Sequence, residues 1–148
     1  MMKHFPLYFI IGVALLLSGC NLETSDNGDL DGYWHLVRVD SLATGQYADL
    51  SETRVFWGFQ VRLLQAIDHD HDASHYGYLF RFEHKGQTLR IYDGHKHDRA
   101  NGDILVEDVG EITSLGFNSL DDHFHVEQLS SDRMVLRDDV LRLWFEKM

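Results

Sequence analysis

The sequence predicts an all-β domain, a small up-and-down antiparallel barrel of about eight strands with one short helix, built from residues 32–148. Three observations carry this. Short runs in which apolar and polar residues alternate recur along the chain, rich in aromatic and β-branched side chains. Turn signals such as Lys85-Gly86 separate the runs. No proline follows Pro6, so no run is interrupted. Consecutive strands of this kind can close on themselves, which removes exposed edges. A sandwich would need crossover connections that nothing here demands.

The first run covers residues 33–40. The second, residues 54–67, reads as one long strand with Val55, Trp57, Phe59, Val61 and Leu63 on one face. In the third, residues 76–84, Tyr76, Tyr78, Phe80 and Phe82 share a face, with Arg81 and Glu83 opposite. Residues 87–93 follow the Lys85-Gly86 turn and place Leu89 and Ile91 together. Residues 104–106 form a short run. Phe124 and Val126, then Met134 and Leu136, then Leu141, Leu143 and Phe145 mark the last three. Only residues 108–115, where Val109, Ile112 and Leu115 recur at three-residue spacing, read as helical. This parity sends Phe56, Leu64, Val135, Val140 and Trp144 outward.

The segment ahead of the barrel has its own logic. Lys3 supplies positive charge, residues 5–17 are apolar, and Leu17-Ser18-Gly19-Cys20 closes the run with small residues. Such a stretch suits an export signal and is short for a bilayer span, which needs about 20 residues. Leu17-Ser18-Gly19-Cys20 resembles the lipobox of bacterial lipoproteins. That resemblance implies a signal peptide over residues 1–19, cleavage before Cys20, and acyl chains, palmitate among them, on Cys20. Asn21, rather than Asp, after the lipidated cysteine implies the outer membrane. Residues 20–31, polar and acidic with the turn pair Asn27-Gly28, read as a flexible tether with a reach of roughly 18 Å.

Composition excludes several functions. Cys20 is the only cysteine, so no disulfide forms within the chain and core burial must hold the domain together. Without residues 1–19 the chain carries 12 Lys+Arg against 24 Asp+Glu, a formal charge of −12. This argues against nucleic acid, which needs a basic footprint, and against lying flat on anionic lipid.

The start of the first strand, Gly32-Tyr33-Trp34, is similar to the Gly-x-Trp signature of lipocalins. The closing pattern of Phe124-x-Val126, Met134-x-Leu136 and Leu141-x-Leu143-x-Phe145 looks like that of small lipocalin-like lipoprotein domains. The resemblance implies that Trp34 closes one end of the barrel against a late arginine. Arg142 is the expected partner and Arg137 the second candidate. The Thr-Asp-Tyr element of typical lipocalins is absent.

The expected site lies inside. Trp57, Tyr78, Phe80 and Phe82 would line a pocket for a small apolar or amphipathic ligand. Tyr78 and Arg38 would orient that ligand, because Arg38 shares parity with Trp34 and Leu36 in an unbulged strand. An eight-stranded interior is just wide enough to be filled by side chains or to hold one small ligand, and both readings stay open. With a filled barrel, the domain would instead be an envelope protein–protein interaction module or an inhibitor. The run Asp68-His69-Asp70-His71-Asp72 with His75, and His95-x-His97-Asp98, has metal-ligand chemistry but turn-like composition. We read it as solvated turns and expect no metal centre and no cofactor. No catalytic site is visible: a nucleophilic cysteine, a Gly-x-Ser-x-Gly elbow and a phosphate-cradling loop are all missing. The doublets Asp121-Asp122 and Asp138-Asp139 read as turn chemistry, so the domain is expected not to be an enzyme.

Overall fold

The computed structural model describes residues 24–72 and 76–148. The expected signal segment and Cys20 lie outside them. Ten strands follow in chain order: β1 (Gly32–Ser41), β2 (Tyr47–Asp49), β3 (Val55–Gln60), β4 (Leu63–Asp68), β5 (Tyr78–Lys85), β6 (Thr88–Lys96), β7 (Ile104–Leu105), β8 (Asp122–Leu129), β9 (Arg133–Arg137) and β10 (Leu141–Lys147). Eight of them form the closed antiparallel ring β1-β3-β4-β5-β6-β8-β9-β10, with β10 returning to β1. The other two are short additions, β2 on β1 and β7 on β6.

The barrel therefore has the expected strand count, but its membership differs. Residues 54–67 are a hairpin of β3 and β4, not one strand. The chain reverses at Val61-Arg62, between the paired Gln60 and Leu63, and Val61 takes φ 55°. A β-branched residue rarely adopts that left-handed backbone, so the turn carries none of its usual sequence markers. Two bonds from the N-terminal segment fasten it: Val61 N donates to Ser25 Oγ at 2.8 Å, and Asn27 Nδ2 donates to Val61 O at 2.9 Å. Facing restarts after the turn. Leu63 is 49% exposed, whereas Leu64 and Ala66, one of them expected outside, are fully buried.

Residues 25–31, expected to belong to a loose tether, pack on the barrel. A 3-10 turn at Gly28–Leu30 buries Leu30 completely, and Asn27 N and Nδ2 donate to the Asp31 carboxylate. Trp34 closes this end. Its Nε1 donates to Leu30 O at 2.9 Å, and its ring is fully buried.

In place of the short helix stand two 3-10 turns, Val109–Glu111 and Thr113–Leu115. Asp108 caps the first by accepting from Gly110 N. Behind the second, Gly116 has φ 103°, and an added Cβ there would press on Leu143 and Leu36 inside the barrel. Only glycine lets the chain bend inward at this point. The turn thus delivers Ile112, Leu115 and Phe117 into the core, all at most 2% exposed.

Candidate functional site

The interior is a packed ring cluster. Phe117 lies between Trp57 and Phe80, its centroid 4.6 Å from each and its plane 4° from the indole. Trp57 Nε1 donates to Leu115 O at 2.8 Å, which ties the inserted segment to the wall of the barrel. Phe145 and Phe124 approach Trp57 to 4.8 and 6.0 Å. Trp57 and Phe80 do face inward as the alternation predicts, and the space they would line is occupied by Phe117. The alternation gives no hint of this, because Phe117 lies between strands. Phe82 is half-buried, edge-on to Phe59 at 5.1 Å. Tyr78 is half-buried beside a cavity of about 490 Å³ shared with Asp68, Lys96, Glu111 and Leu115. Burial raises the pKa of its hydroxyl, and the charges of Glu111 and Asp72 add to this.

Two arginines stand elsewhere than expected. The β1–β10 register slips between Leu36 and Arg38, a bulge at Val37 that reverses the facing of everything after it. Arg38 consequently lies outside, bonded to Asp40 at 2.6 Å and stacked over Tyr47 at 4.2 Å. Arg142 pairs in register with Asp40, far along β10 from Trp34, and its Nε donates to Glu127 at 3.1 Å. Arg137, the second candidate, binds the same Glu127 at 2.9 Å. The cation over Trp34 is Lys147, 4.8 Å from the ring centroid, with its Nζ donating to Asp29 O at 2.9 Å. Lys147 is also the register partner of Trp34. Lys147→Ala is expected to cost about 1–2 kcal/mol, through the cation–π contact and the stem packing. Arg142→Ala should cost under about 1 kcal/mol as a surface ion pair. Urea unfolding of both variants checks the order, and a reversed ranking would return the closing role to Arg142.

Outside the barrel, the wall of β1, β3, β4 and β5 carries a groove of about 850 Å³. Tyr33, Leu63 and Leu79 give it an apolar surface, Gln65 a polar contact, and Ser25 and Val61 a rim. Gly58 makes the floor. A Cβ there would come within 3.1 Å of the Tyr33 ring, so glycine lets that ring lie flat on the sheet. Tyr33 stacks on Phe56 at 4.9 Å, and its hydroxyl meets His69 Nε2 at 3.0 Å.

The histidine–aspartate segments do approach one another, since His97 N donates to Gly77 O and the His97 ring lies 5.2 Å from Tyr76. Several of their polar groups have local partners, whereas His97 Nδ1 is buried without a hydrogen-bond partner among the described residues. Arg54 Nε donates to Asp70, and His71 pairs with Asp68 at 2.8 Å, a bond that raises the pKa of His71. Among the described residues no group of three or more His, Cys, Asp or Glu is arranged to hold a metal ion, and His75 lies outside them.

The aspartate doublets hold a feature that sequence reasoning missed. Asp121 and Asp139 are exposed, but Asp122 and Asp138 are buried, at 4% and 8% exposure. β8 and β9 are antiparallel, so the start of one lies beside the end of the other and the two inward carboxyl groups meet. Asn118 binds both: its backbone N donates to Asp122 Oδ2 and its Nδ2 to Asp138 Oδ2, each at 3.0 Å. Asp138 Oδ1 also accepts from Val140 N and Leu141 N. Burial pushes Asp122 up to about 7, opposed by the Asn118 bond and reinforced by repulsion from Asp138.

A family model described as a lipocalin-like domain matches residues 15–148. Among solved structures, a lipocalin-like protein from Bacteroides uniformis superposes with a TM-score of 0.59 at 23% identity, covering 82% of this chain and all of that one. An uncharacterized protein from Bacteroides eggerthii does so with a TM-score of 0.57 at 16% identity, covering 80% of this chain and 99% of its own. Both likenesses are in fold. No curated protein matches the chain.

Proposed function

The chain belongs to the lipocalin-like domain family, and on that premise we propose that it is an anchored, non-catalytic binding module that takes a small apolar or amphipathic ligand on its outer wall. The observation that carries this reading is the placement of Phe117 between Trp57 and Phe80. The interior is filled by the protein's own rings, while the groove beside Tyr33, Leu63 and Leu79 stays open. Its volume of about 850 Å³ falls in the range of roughly 300–1,000 Å³ usual for small-ligand sites. In this proposal acyl chains on Cys20 hold the domain at the outer membrane. The acidic surface favours a barrel that stands off the lipid.

The test is titration of the full chain with the hydrophobic fluorophore N-phenyl-1-naphthylamine at about pH 6, below the range in which Asp122 ionises. One saturable site is expected. It should be lost in Leu79→Asp, which puts a charge on the groove wall, and kept in Phe80→Trp, which adds bulk only inside. Uptake lost in Phe80→Trp and kept in Leu79→Asp would move the ligand into the barrel.

A second reading, a protein partner, is favoured by one observation. Among the described residues β7 pairs only with β6, and its Ile104 and Leu105 are 51% and 50% exposed. Leu120 lies across the same concavity as Leu105. Such a patch at an unpaired edge suits a docking strand. Trp144, an outward candidate from the alternation, is half-buried and bonded through Nε1 to Asp40 at 3.0 Å.

A further inference from the structure

We infer that Asn118, Asp122 and Asp138 form a latch closed by a proton, which holds Phe117 inside the barrel and, when open, uncovers a slot between Trp57 and Phe80 for a planar apolar molecule. The inference goes beyond the wall groove and concerns why the interior is closed.

Phe117 sits between a hinge and a tie. On one side is Gly116 with its left-handed φ of 103°. On the other, Asn118 is bonded at 3.0 Å to two carboxyl groups from two elements, the start of β8 and the segment after β9. A single residue thus couples the separation of these acids to the position of the inserted ring. Two buried carboxyl groups in contact are stable while one keeps its proton and donates to the other. Once both ionise they repel at short range and draw in water, and Asn118 cannot remain bonded to both as they part.

The surroundings give the pair no countercharge. Across β6 the register partner of Asp122 is Ile91. Arg90 is bonded through Nε and Nη2 to the exposed Asp121, at 2.8 and 2.7 Å. His123 faces solvent beside the same Asp121. Arg137, next to Asp138 in the chain, is bonded to Glu127, and Asp139 is exposed. Among the described residues no ion pair joins a cation to Asp122 or Asp138.

The sign follows from linkage. Closed, Asp122 holds its proton up to about pH 7, whereas a solvated carboxyl group releases it near 3.8. Opening therefore releases a proton across that window, so rising pH favours the open form and the effect levels off above it.

The experiment uses the full chain carrying Leu79→Asp, which silences the wall groove, and follows N-phenyl-1-naphthylamine by quenching of tryptophan emission. Affinity is expected to rise on the order of thirtyfold from about pH 5.5 to about pH 8. Adding Asp122→Asn, whose amide can accept from Asn118 and donate to Asp138 as the protonated acid does, should abolish the rise. Uptake that ignores pH, that keeps its pH dependence in Asp122→Asn, or that is missing at both pH values would overturn the latch. The same probe with Leu79 intact reports on the wall groove separately. Should Asp122→Asn fail to fold, amide exchange at residues 115–118 of the unsubstituted chain decides. After correction for the intrinsic rate, exchange there is expected to accelerate on the order of thirtyfold over the same range while β3 stays protected, and uniform protection would overturn the proposal.

Discussion

Trp34→Ala is expected to lower stability by about 3–5 kcal/mol, as loss of a large buried aromatic does. Three contacts go at once. The fully buried ring no longer fills the barrel end, Leu30 O loses its donor, and Lys147 loses the face it lies over. The N-terminal turn should loosen as a consequence, because Leu30 packs where the indole stands. Glu83→Ala provides the contrast. Glu83 is exposed on β5, 4.0 Å from Arg90, and its removal should stay within about 0.5 kcal/mol. Chemical denaturation of the two variants tests the facing of the strands. Comparable losses would mean that inward and outward have been assigned wrongly.

Phe117→Ala should cost a similar amount, about 3–5 kcal/mol near pH 6, although the residue belongs to no strand. The ring is 1% exposed and stacked on both faces, so alanine leaves an apolar slot whose walls, Trp57 and Phe80, stand in a closed barrel. Such cavities stay dry and accept small aromatic molecules. Saturating benzene or toluene should therefore raise the melting temperature of Phe117→Ala by mass action and leave the unsubstituted protein unchanged at that pH. A loss below about 1 kcal/mol, with no response to benzene, would show that Phe117 is not a core residue in solution.

Much of the barrel was legible because burial on one face of a strand writes itself into every second residue. Trp34, Trp57, Phe80, Phe124 and Phe145 are all buried as their alternation requires. The two misassigned faces share a cause: local backbone events that reset parity without leaving a residue signature. The Val61 turn has no glycine or asparagine and is secured from outside by Ser25 and Asn27. The bulge at Val37 turns Arg38 outward, and alternation alone cannot reveal one extra residue. The family resemblance implies an arginine as the closing cation, yet Lys147 is the one in register with Trp34. Position along the strand matters here more than residue type.

The sequence by itself determined the fold class, the inward rings of most strands and the acidic surface, since these follow from periodicity and composition. Tertiary structure alone decided three things. It brought Phe117 from a connecting segment into the slot the strands had left, a contact across 60 residues to Trp57 that no local pattern encodes. It paired Asp122 with Asp138, one residue from each of two doublets that look identical in the chain. It also placed the apolar concavity on the wall, where Gly58 leaves room beside Tyr33. The physical reason is common to all three: side-chain direction within a strand is set by neighbours in sequence, whereas what occupies the space ahead of it is set by whichever distant segment fits.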